Sequence, residues 1–286
     1  MATQKRTTLE AEMSFFDHID VLRKHLLRSL LVLIVFTVAA LFFSEFIYEE
    51  IIMGPKHADF WTYRMMCLMV ETWPNIISSD FCVTKIPGEI INTQMAGQFT
   101  LQINSSIICG ILFTIPYFLF EMWLFIKPAL KINEKKSAQG FVFFSSALFF
   151  IGVLFGYYVI SPLSINFLAN FTVSPDIKNT FTIDSYLSTV ATLTLGSGVI
   201  FQLPIVIYIL SKLGIMTPKF MRSSRRYSTV LILIIAAVVT PTADVLTMLV
   251  VAAPLFLLYE ISIYISAYIE NKKNKELYGT SLVKKN

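Results

Sequence analysis

One carboxylate, Glu134, lies in a short basic segment between two long apolar runs, and it is the first candidate for binding chemistry. Trp123, Phe125 and Pro128 precede it, so the segment begins with aromatic residues and is kinked before the acid. A carboxylate on such a loop at a membrane surface can accept hydrogen bonds from a cation, and its pairing with arginine is bidentate and strong. The segment is therefore a candidate site for a cationic ligand. A solvated glutamate among neighbouring lysines is the alternative that the residues alone leave open.

Three polar residues, Glu121, Gln202 and Glu260, lie inside apolar runs, where polar side chains are functional candidates by default. We expect Glu121 to reach toward the nearby basic loop, and Glu260 to find a Lys or Arg partner at its end of the membrane. Gln202 is the deepest of the three. It either forms an interhelical hydrogen bond worth about 1 kcal/mol or has a functional role.

The sequence contains no pattern typical of catalysis. Its histidines, His18, His25 and His57, are scattered, and there is no HExxH, GxSxG, Walker or Rossmann pattern. The cysteines lack metal-ligand spacing, so we expect no metal and no cofactor. Cys67 and Cys82 lie in a long acidic loop, where an oxidising compartment would permit a disulfide bond, and two free thiols are equally compatible with the spacing. An enzyme is not indicated, so a carrier, a channel or a receptor-like scaffold remains.

The elements that position these residues follow from the composition. Of the 286 residues, 55% are hydrophobic and 15% are charged, and the mean hydropathy is +0.67. Soluble chains carry about 25% charged residues. The apolar blocks are continuous and long enough for helices, which need roughly 20 residues to cross the hydrocarbon. The sequence predicts an all-α, polytopic membrane protein with six transmembrane helices near 26–43, 98–126, 138–161, 186–211, 227–241 and 245–266.

Two polar segments flank this predicted transmembrane domain over 26–266. Residues 1–25 are expected to form an amphipathic segment that leads into the first span, which we predict to be a retained anchor because no small-residue cleavage site follows it. Residues 267–286 form a basic tail that we expect to be disordered. The fifth apolar run, 227–240, has only 14 residues, or roughly 21 Å of helix, and is therefore short for a hydrocarbon core of about 30 Å.

The distribution of positive charge predicts the orientation in the membrane. Of the 23 Lys and Arg residues, 19 lie in the N-terminal segment up to Arg28, the loops 127–137 and 212–226, and the tail. Lys and Arg accumulate in cytoplasmic loops of membrane proteins. Both termini and the basic loops are therefore predicted to be cytoplasmic, an N-in/C-in arrangement.

Five short motifs, in order along the chain, carry a resemblance to a known family. They are His18-Ile-Asp-Val-Leu-Arg23-Lys, Trp123-x-Phe125-x-x-Pro128-Ala-Leu-x-x-x-Glu134, Phe201-Gln-Leu-Pro204, Thr240-Pro241 with Asp244, and Tyr259-Glu260-Ile. Each motif is weak alone, whereas the ordered set is highly specific. Over roughly residues 14–270 the chain resembles the TatC family, the six-helix core of the twin-arginine protein translocase.

The resemblance implies a glove-shaped six-helix bundle in the bacterial cytoplasmic (inner) membrane. It implies a receptor and scaffold that binds twin-arginine signal peptides at its cytoplasmic face, for export of folded proteins driven by the proton-motive force. The implied partners are single-span subunits of the TatA and TatB type, the signal peptides, the lipid bilayer, and further copies of this chain in a homo-oligomeric complex. Neither nucleic acid nor a cofactor is expected.

The same resemblance gives roles to particular residues. Glu134 matches the family's recognition glutamate, and its carboxylate suits the two adjacent arginines of a signal peptide. Arg23, Phe125 and Pro128 belong to the same implied signal-peptide-binding site. Further positions that match the family are Pro55, Thr240 and Asp244, which we expect to form structural or partner contacts at the outer face.

Two positions depart from the family pattern. A second signal-binding glutamate usually stands directly before Leu-Arg, where this chain has Val21. Asp20 is the nearest acid, but neighbouring positions on a helix are about 100° apart, so its role as a substitute is a hypothesis. The family's deep glutamate before Leu-Pro is Gln202 here, which indicates that a polar hydrogen-bonding group rather than a charge suffices at that depth.

A secondary transporter of a small solute is the alternative from a different class. Such transporters commonly contain repeated halves and broken helices around a site at the middle of the membrane. The sequence contains neither an internal repeat nor a deep ion pair. Protein translocation is therefore the favoured interpretation.

Overall fold

The structure of the protein is a computed structural model, and it describes residues 15–74, 82–126, 138–174, 176–239 and 245–283. Helices dominate these residues, and the all-α fold class is confirmed. Two three-residue strands, β1 (Glu89–Ile91) and β2 (Thr180–Thr182), pair in parallel, with Ile90 opposite Phe181.

The helices are α1 (Phe15–Phe42), α2 (Ser44–Phe46), a π-helical segment (Ile47–Ile52), a 3-10 turn (Gly54–Lys56), α3 (Trp61–Thr72), α4 (Gly97–Ile126), α5 (Ala138–Phe155), a second π-helical segment (Gly156–Ile160), α6 (Ser161–Asn170), α7 (Ile183–Ile200), α8 (Leu203–Lys212), α9 (Pro218–Ser223), α10 (Arg225–Val239) and α11 (Val245–Val283).

Five helical segments among the described residues are long and apolar enough to cross a membrane. α10 is shorter: its 15 residues span about 22 Å, which is less than a hydrocarbon core of about 30 Å. The fifth run of the sequence is therefore a short helix in the structure as well. The five longer segments are Ile19–Phe42, Gly97–Ile126, Gly140–Asn170, Ile183–Lys212 and Thr247–Lys272.

α1 packs along α4, and a glycine allows the two backbones to approach closely. A Cβ atom added to Gly110 of α4 would lie 2.2 Å from Thr37 Oγ1 and 3.1 Å from the Thr37 backbone. Phe36 and Phe113 contact each other beside this crossing, with ring centroids 6.0 Å apart. Small residues commonly mark helix contacts in membranes, where van der Waals packing replaces the hydrophobic effect as the driving force.

α5, the second π-helical segment and α10 contact α7, whereas α8 and α9 pack against α11. The second π-helical segment lies against α7, where a Cβ added to Gly156 would meet the Leu193 carbonyl oxygen at 2.7 Å. On another face of α7, side chains of α7, α10 and α11 form one cluster of buried apolar residues. Its fully or almost fully buried side chains are Ile160, Leu193, Ala236, Val251, Ala252 and Leu255.

The segment between α1 and α4 is folded rather than an open loop. We call its described residues, 44–74 and 82–96, the cap segment. The structure joins Cys67 and Cys82 in a disulfide bond, so of the two states compatible with their spacing it contains the bonded one. Tyrosine hydroxyls tie the cap segment to the long helices: Tyr157 donates to the Ile51 carbonyl at 2.6 Å, and Tyr186 donates to the Ile52 carbonyl at 2.8 Å.

The C-terminal tail differs from its sequence-based expectation. We expected 267–286 to be disordered, whereas α11 continues without interruption to Val283. Glu and Lys, which are frequent there, have good helix propensities, and the helix is already nucleated by the apolar part of α11. Polar composition therefore ends the span without ending the helix.

Candidate functional site

Three of the predicted signal-binding residues, Asp20, Arg23 and Phe125, fall at the end of the α1–α4 pair where α1 begins and α4 ends. Asp20 and Arg23, on the first turns of α1, are exposed, whereas Val21 between them is half-buried. Phe125 is in the last turn of α4. Glu134 and Pro128 lie outside the described residues, as do Thr240 and Asp244, so their contacts remain predictions.

Glu121, one turn before Phe125, is buried in a polar cluster. Its side chain is 3% exposed, and its carboxylate is hydrogen-bonded to His25 Nδ1 of α1. The Tyr117 hydroxyl donates to the same carboxylate at 2.6 Å, and Arg28 Nη1 lies 4.0 Å from it. The expectation that Glu121 reaches toward the membrane surface is therefore wrong: α1 brings cationic and hydrogen-bonding partners to it, so burial is tolerated.

Aromatic contacts hold the end of α4 in place. Trp123 is 2% exposed, and its ring stacks on Phe141 of α5 with centroids 4.0 Å apart. Phe141 in turn contacts Tyr208 of α8. On the other side of α4, the rings of Phe125 and His25 meet edge to face at 6.3 Å. The end of α4, which precedes the basic loop, thus packs against α1 and α5, and α5 in turn contacts α8.

This end of the molecule can present polar groups to a ligand while its buried charges stay paired. Glu121 is enclosed, so it stabilises the α1–α4 contact rather than meeting a ligand directly. Asp20 offers an exposed carboxylate, and Arg23 offers an exposed guanidinium. Exposed carboxylates on a rigid helix can accept the paired N–H groups of an arginine.

Gln202 lies at the break between α7 and α8 and forms a reciprocal contact with α5. Ser145 Oγ donates to Gln202 Oε1 at 2.8 Å, and Gln202 Nε2 donates to the Ser145 carbonyl at 3.0 Å. Pro204 follows in the first turn of α8, where a missing N–H costs little. An ionised glutamate could accept the first of these hydrogen bonds but could not donate the second. The contact favours the structural role among the alternatives for Gln202.

Glu260 of α11 pairs with Arg225 of α10. The Arg225 Nη2 to Glu260 Oε2 distance is 2.7 Å, and the side chains are 53% and 43% exposed. The expected Arg or Lys partner is therefore present in the structure. Because both side chains are about half exposed rather than buried, we expect the pair to contribute little to stability, at most about 1 kcal/mol.

Pro55 is buried in the cap segment. The Tyr63 hydroxyl donates to the carbonyl of Pro162 at 2.8 Å and lies 3.0 Å from the carbonyl oxygen of Pro55. Burial raises the pKa of the Tyr63 hydroxyl, so it remains a protonated donor near neutral pH. Pro55 thus forms part of the contact between the cap segment and α6.

Sequence reasoning predicted a Lys or Arg partner for Glu260, but it did not identify the particular partner of any of the three intramembrane polar residues. Tyr117 was detectable, because it lies four residues before Glu121 and therefore on the same helix face. His25, Ser145 and Arg225 come from other helices, and no local spacing connects them to their partners. Among the residues that the structure describes, no group of three or more His, Cys, Asp or Glu could hold a metal ion.

A bundle of long apolar helices, in which Glu121, Gln202 and Glu260 are paired at helix–helix contacts, defines an integral membrane protein. Comparison with known proteins identifies its kind. The family model described as Sec-independent protein translocase protein (TatC) matches residues 17–254. The chain belongs to the TatC family. The resemblance drawn from the five motifs is confirmed, and the alternative of a small-solute transporter is not supported.

Relatives and a solved structure agree with this assignment. The TatC protein of Blattabacterium sp. subsp. Periplaneta americana is 36% identical, over 92% of this chain and 98% of the relative. That of Deinococcus radiodurans is 30% identical, over 90% of this chain and 86% of the relative. A crystal structure of the twin arginine translocase receptor TatC matches with a TM-score of 0.65 and 29% identity, covering 88% of this chain and 99% of that one.

Proposed function

We propose that this protein is the receptor and scaffold of a twin-arginine translocation system, which binds twin-arginine signal peptides and supports export of folded proteins driven by the proton-motive force. Membership of the TatC family carries this proposal, together with the likeness to a solved twin arginine translocase receptor. We place the protein in the bacterial cytoplasmic membrane with both termini inside. Its proposed partners are single-span subunits of the TatA and TatB type and further copies of this chain.

The recognition site that we propose is the loop after α4 together with the exposed residues Asp20 and Arg23 near the start of α1. Glu134 is the proposed acceptor for the signal-peptide arginines, with Phe125 and Pro128 shaping the loop around it. Asp20 and Arg23 are the proposed contributors from α1. The edge-to-face contact between Phe125 and His25 supports this grouping, because it brings the end of α4 beside α1.

Two independent features support the proposed orientation. The basic loops and tail follow the positive-inside rule. The disulfide bond between Cys67 and Cys82 suits an oxidising compartment, and this is the side opposite the cytoplasm. We propose that Pro55, Thr240 and Asp244 lie at this outer face, where Pro55 has a structural role and the other two are candidates for partner contacts.

A binding experiment tests the proposed function directly. The purified protein in detergent is offered an immobilised signal peptide with Arg-Arg, and in parallel the same peptide with Lys-Lys. We expect retention by the Arg-Arg peptide and much weaker retention by the Lys-Lys peptide, because lysine cannot form the bidentate pair. Equal retention by both peptides would contradict the proposal.

The role of Glu134 is tested by crosslinking to the Arg-Arg peptide. We expect Glu134→Ala to weaken crosslinking while the protein remains folded and inserted. Glu270→Ala is the matched control, because it removes an exposed carboxylate on the C-terminal part of α11, and it should leave crosslinking unchanged. Asp20→Asn should weaken crosslinking only if Asp20 replaces the acid that is absent at Val21.

A further inference from the structure

α3, in the cap segment, exposes an apolar face that no described part of the protein covers. Trp61, Met65, Leu68 and Met69 are 56%, 36%, 53% and 47% exposed. Their spacing of four, seven and eight residues from the first places them on one stripe of the helix. We call these four residues the apolar face of α3. A cluster of this kind on a short helix outside the spans indicates an interaction surface.

The other sides of α3 have different environments. Thr62, Tyr63 and Met66 point into the protein and are buried. Arg64 and Glu71, seven residues apart on one border of the apolar face, are exposed and charged. α3 is thus an amphipathic helix with one side packed on the protein, one exposed apolar stripe and a charged border, which is the pattern of a helix that lies in a membrane interface.

Contacts with the third long helix fix the level at which α3 begins. Phe60 stacks on Tyr158 with ring centroids 5.5 Å apart, and Trp61 meets the same ring edge to face at 6.0 Å. The Thr62 hydroxyl donates to the Tyr158 carbonyl. Tyr158 lies 18 residues beyond Gly140, where the membrane-spanning segment starts, or about 27 Å along the helix. The candidate span is Gly140–Asn170, and a hydrocarbon core about 30 Å thick that starts at Gly140 would end near Tyr158, which places the start of α3 close to the boundary.

The apolar face of α3 is continuous with a surface that already faces lipid. Ile151, Leu154 and Tyr158 are exposed along one side of the third span, with exposed fractions of 54%, 52% and 36%. In a membrane protein these side chains meet acyl chains. Trp61 adjoins this row through its contact with Tyr158. The lipid that covers the span therefore extends to the start of α3.

We propose that α3 is an interfacial anchor, which lies at the boundary of the lipid leaflet on the side of the cap segment with its apolar face among the upper acyl chains. Tryptophan favours this region, because its ring is apolar and its N–H can reach water or headgroups. The charged border, Arg64 and Glu71, remains at headgroup level. Through the disulfide bond of Cys67 to Cys82, the anchor also restrains the returning part of the cap segment.

The depth of Trp61 in a bilayer tests the proposal. The chain has three tryptophans, so a variant with Trp73→Phe and Trp123→Phe retains Trp61 as its only reporter. It is reconstituted in phosphatidylethanolamine and phosphatidylglycerol vesicles that contain phosphatidylcholine brominated at either shallow or deep acyl positions. We expect strong quenching of Trp61 by the shallow bromines, weaker quenching by the deep ones, and little quenching by aqueous acrylamide.

Two other results would overturn the proposal. Quenching by acrylamide without quenching by bromolipid would show that α3 lies in water. Shielding from both quenchers would show that protein, such as a second copy of the chain, covers the apolar face. Leu68→Glu should shift Trp61 toward acrylamide, whereas Arg64→Gln at the charged border is the matched control and should change neither signal. Migration on a non-reducing gel verifies the disulfide bond in every variant.

Discussion

Glu121 illustrates at the residue scale how a carboxylate is accommodated inside a membrane bundle. Its negative charge meets His25 and Arg28 from α1, and Tyr117 from its own helix completes its hydrogen bonds. Gln202 is accommodated differently, through a neutral reciprocal pair with Ser145. Both residues were recognisable as special from hydropathy alone. Their partners were not, because they come from helices that are distant in sequence.

The Glu121–His25 contact yields a quantitative prediction. Glu121→Leu should lower the free energy of unfolding by about 3 kcal/mol, because the two side chains are only 3% and 13% exposed and the change leaves His25 without its acceptor. In a double-mutant cycle, the combined Glu121→Leu and His25→Leu variant should lose less than the sum of the single losses. Thermal unfolding in detergent measures both quantities. Additive losses would show that the two side chains are not coupled. Glu260→Leu is the control: because its ion pair is half-exposed, the substitution should cost under about 1 kcal/mol.

At the scale of elements, the α1–α4 crossing depends on one position without a side chain. Gly110→Ala should destabilise the protein by about 1–3 kcal/mol, because the added methyl group meets the Thr37 side chain and backbone and forces the helices apart. Gly196→Ala is the matched control, since a Cβ there meets nothing within 4 Å. Its helix should be unchanged or slightly more stable. The measurement is the melting temperature of each variant relative to the unmodified protein. Equal shifts in melting temperature for the two variants would contradict the close crossing of α1 and α4.

The cap segment is held by tyrosine hydroxyls, and Tyr63 gives a prediction with a defined pH dependence. Burial raises the pKa of Tyr63 above its usual value of about 10. Its contribution to stability is therefore present below pH 10 and is lost as the pH rises through the folded-state pKa. Tyr63→Phe should cost about 1–3 kcal/mol at neutral pH and reduce the loss of cap stability in alkali.

Hydrogen exchange of the cap amides at several pH values measures this effect. Tyr264→Phe, at a site that is 70% exposed, is the control and should leave exchange unchanged. If Tyr63→Phe has the same alkaline loss as the natural chain, then other groups cause it.

The elements themselves were predictable to different degrees. The long spans follow from continuous apolar runs, since hydropathy reports burial in lipid directly. It does not report where a helix stops, so α11 extends through a tail that looked disordered. α3 was hidden within a loop, because its order depends on Tyr63, the disulfide bond and contacts with Tyr158. These are tertiary contacts, and no local periodicity of the sequence predicts them.

At the scale of the whole molecule, the candidate recognition site rests on motif order more than on geometry. Glu134 was singled out by its surroundings in the sequence and by family resemblance, and it lies outside the described residues. The structure adds what no motif contains: the aromatic packing around Trp123 and the buried cluster at Glu121. These contacts hold in place the end of α4 and the beginning of α1, the two segments that belong to the proposed recognition site.

The proposed N-in/C-in orientation can be checked by labelling. Single cysteines are introduced at two exposed positions, Asp176→Cys between α6 and α7 and Asn271→Cys on α11. An impermeant maleimide added to intact spheroplasts should label the first variant and should label the second only after the membrane is disrupted. The reverse pattern would invert the topology. The unmodified chain is the control, since its Cys109 is buried and its other two cysteines are disulfide-bonded.

The contact between Glu121 and His25 also bears on biogenesis. Translocon scales assign a cost of about 2.5–3.5 kcal/mol to an unpaired acidic residue at the centre of a single inserted helix, and Glu121, near the end of α4, would carry part of this cost until it is paired. α1 is synthesised first and carries the histidine, so it is available before α4 emerges from the ribosome. We expect α1 to wait beside the insertion channel until α4 arrives, and the two helices then to enter the lipid together as a hairpin.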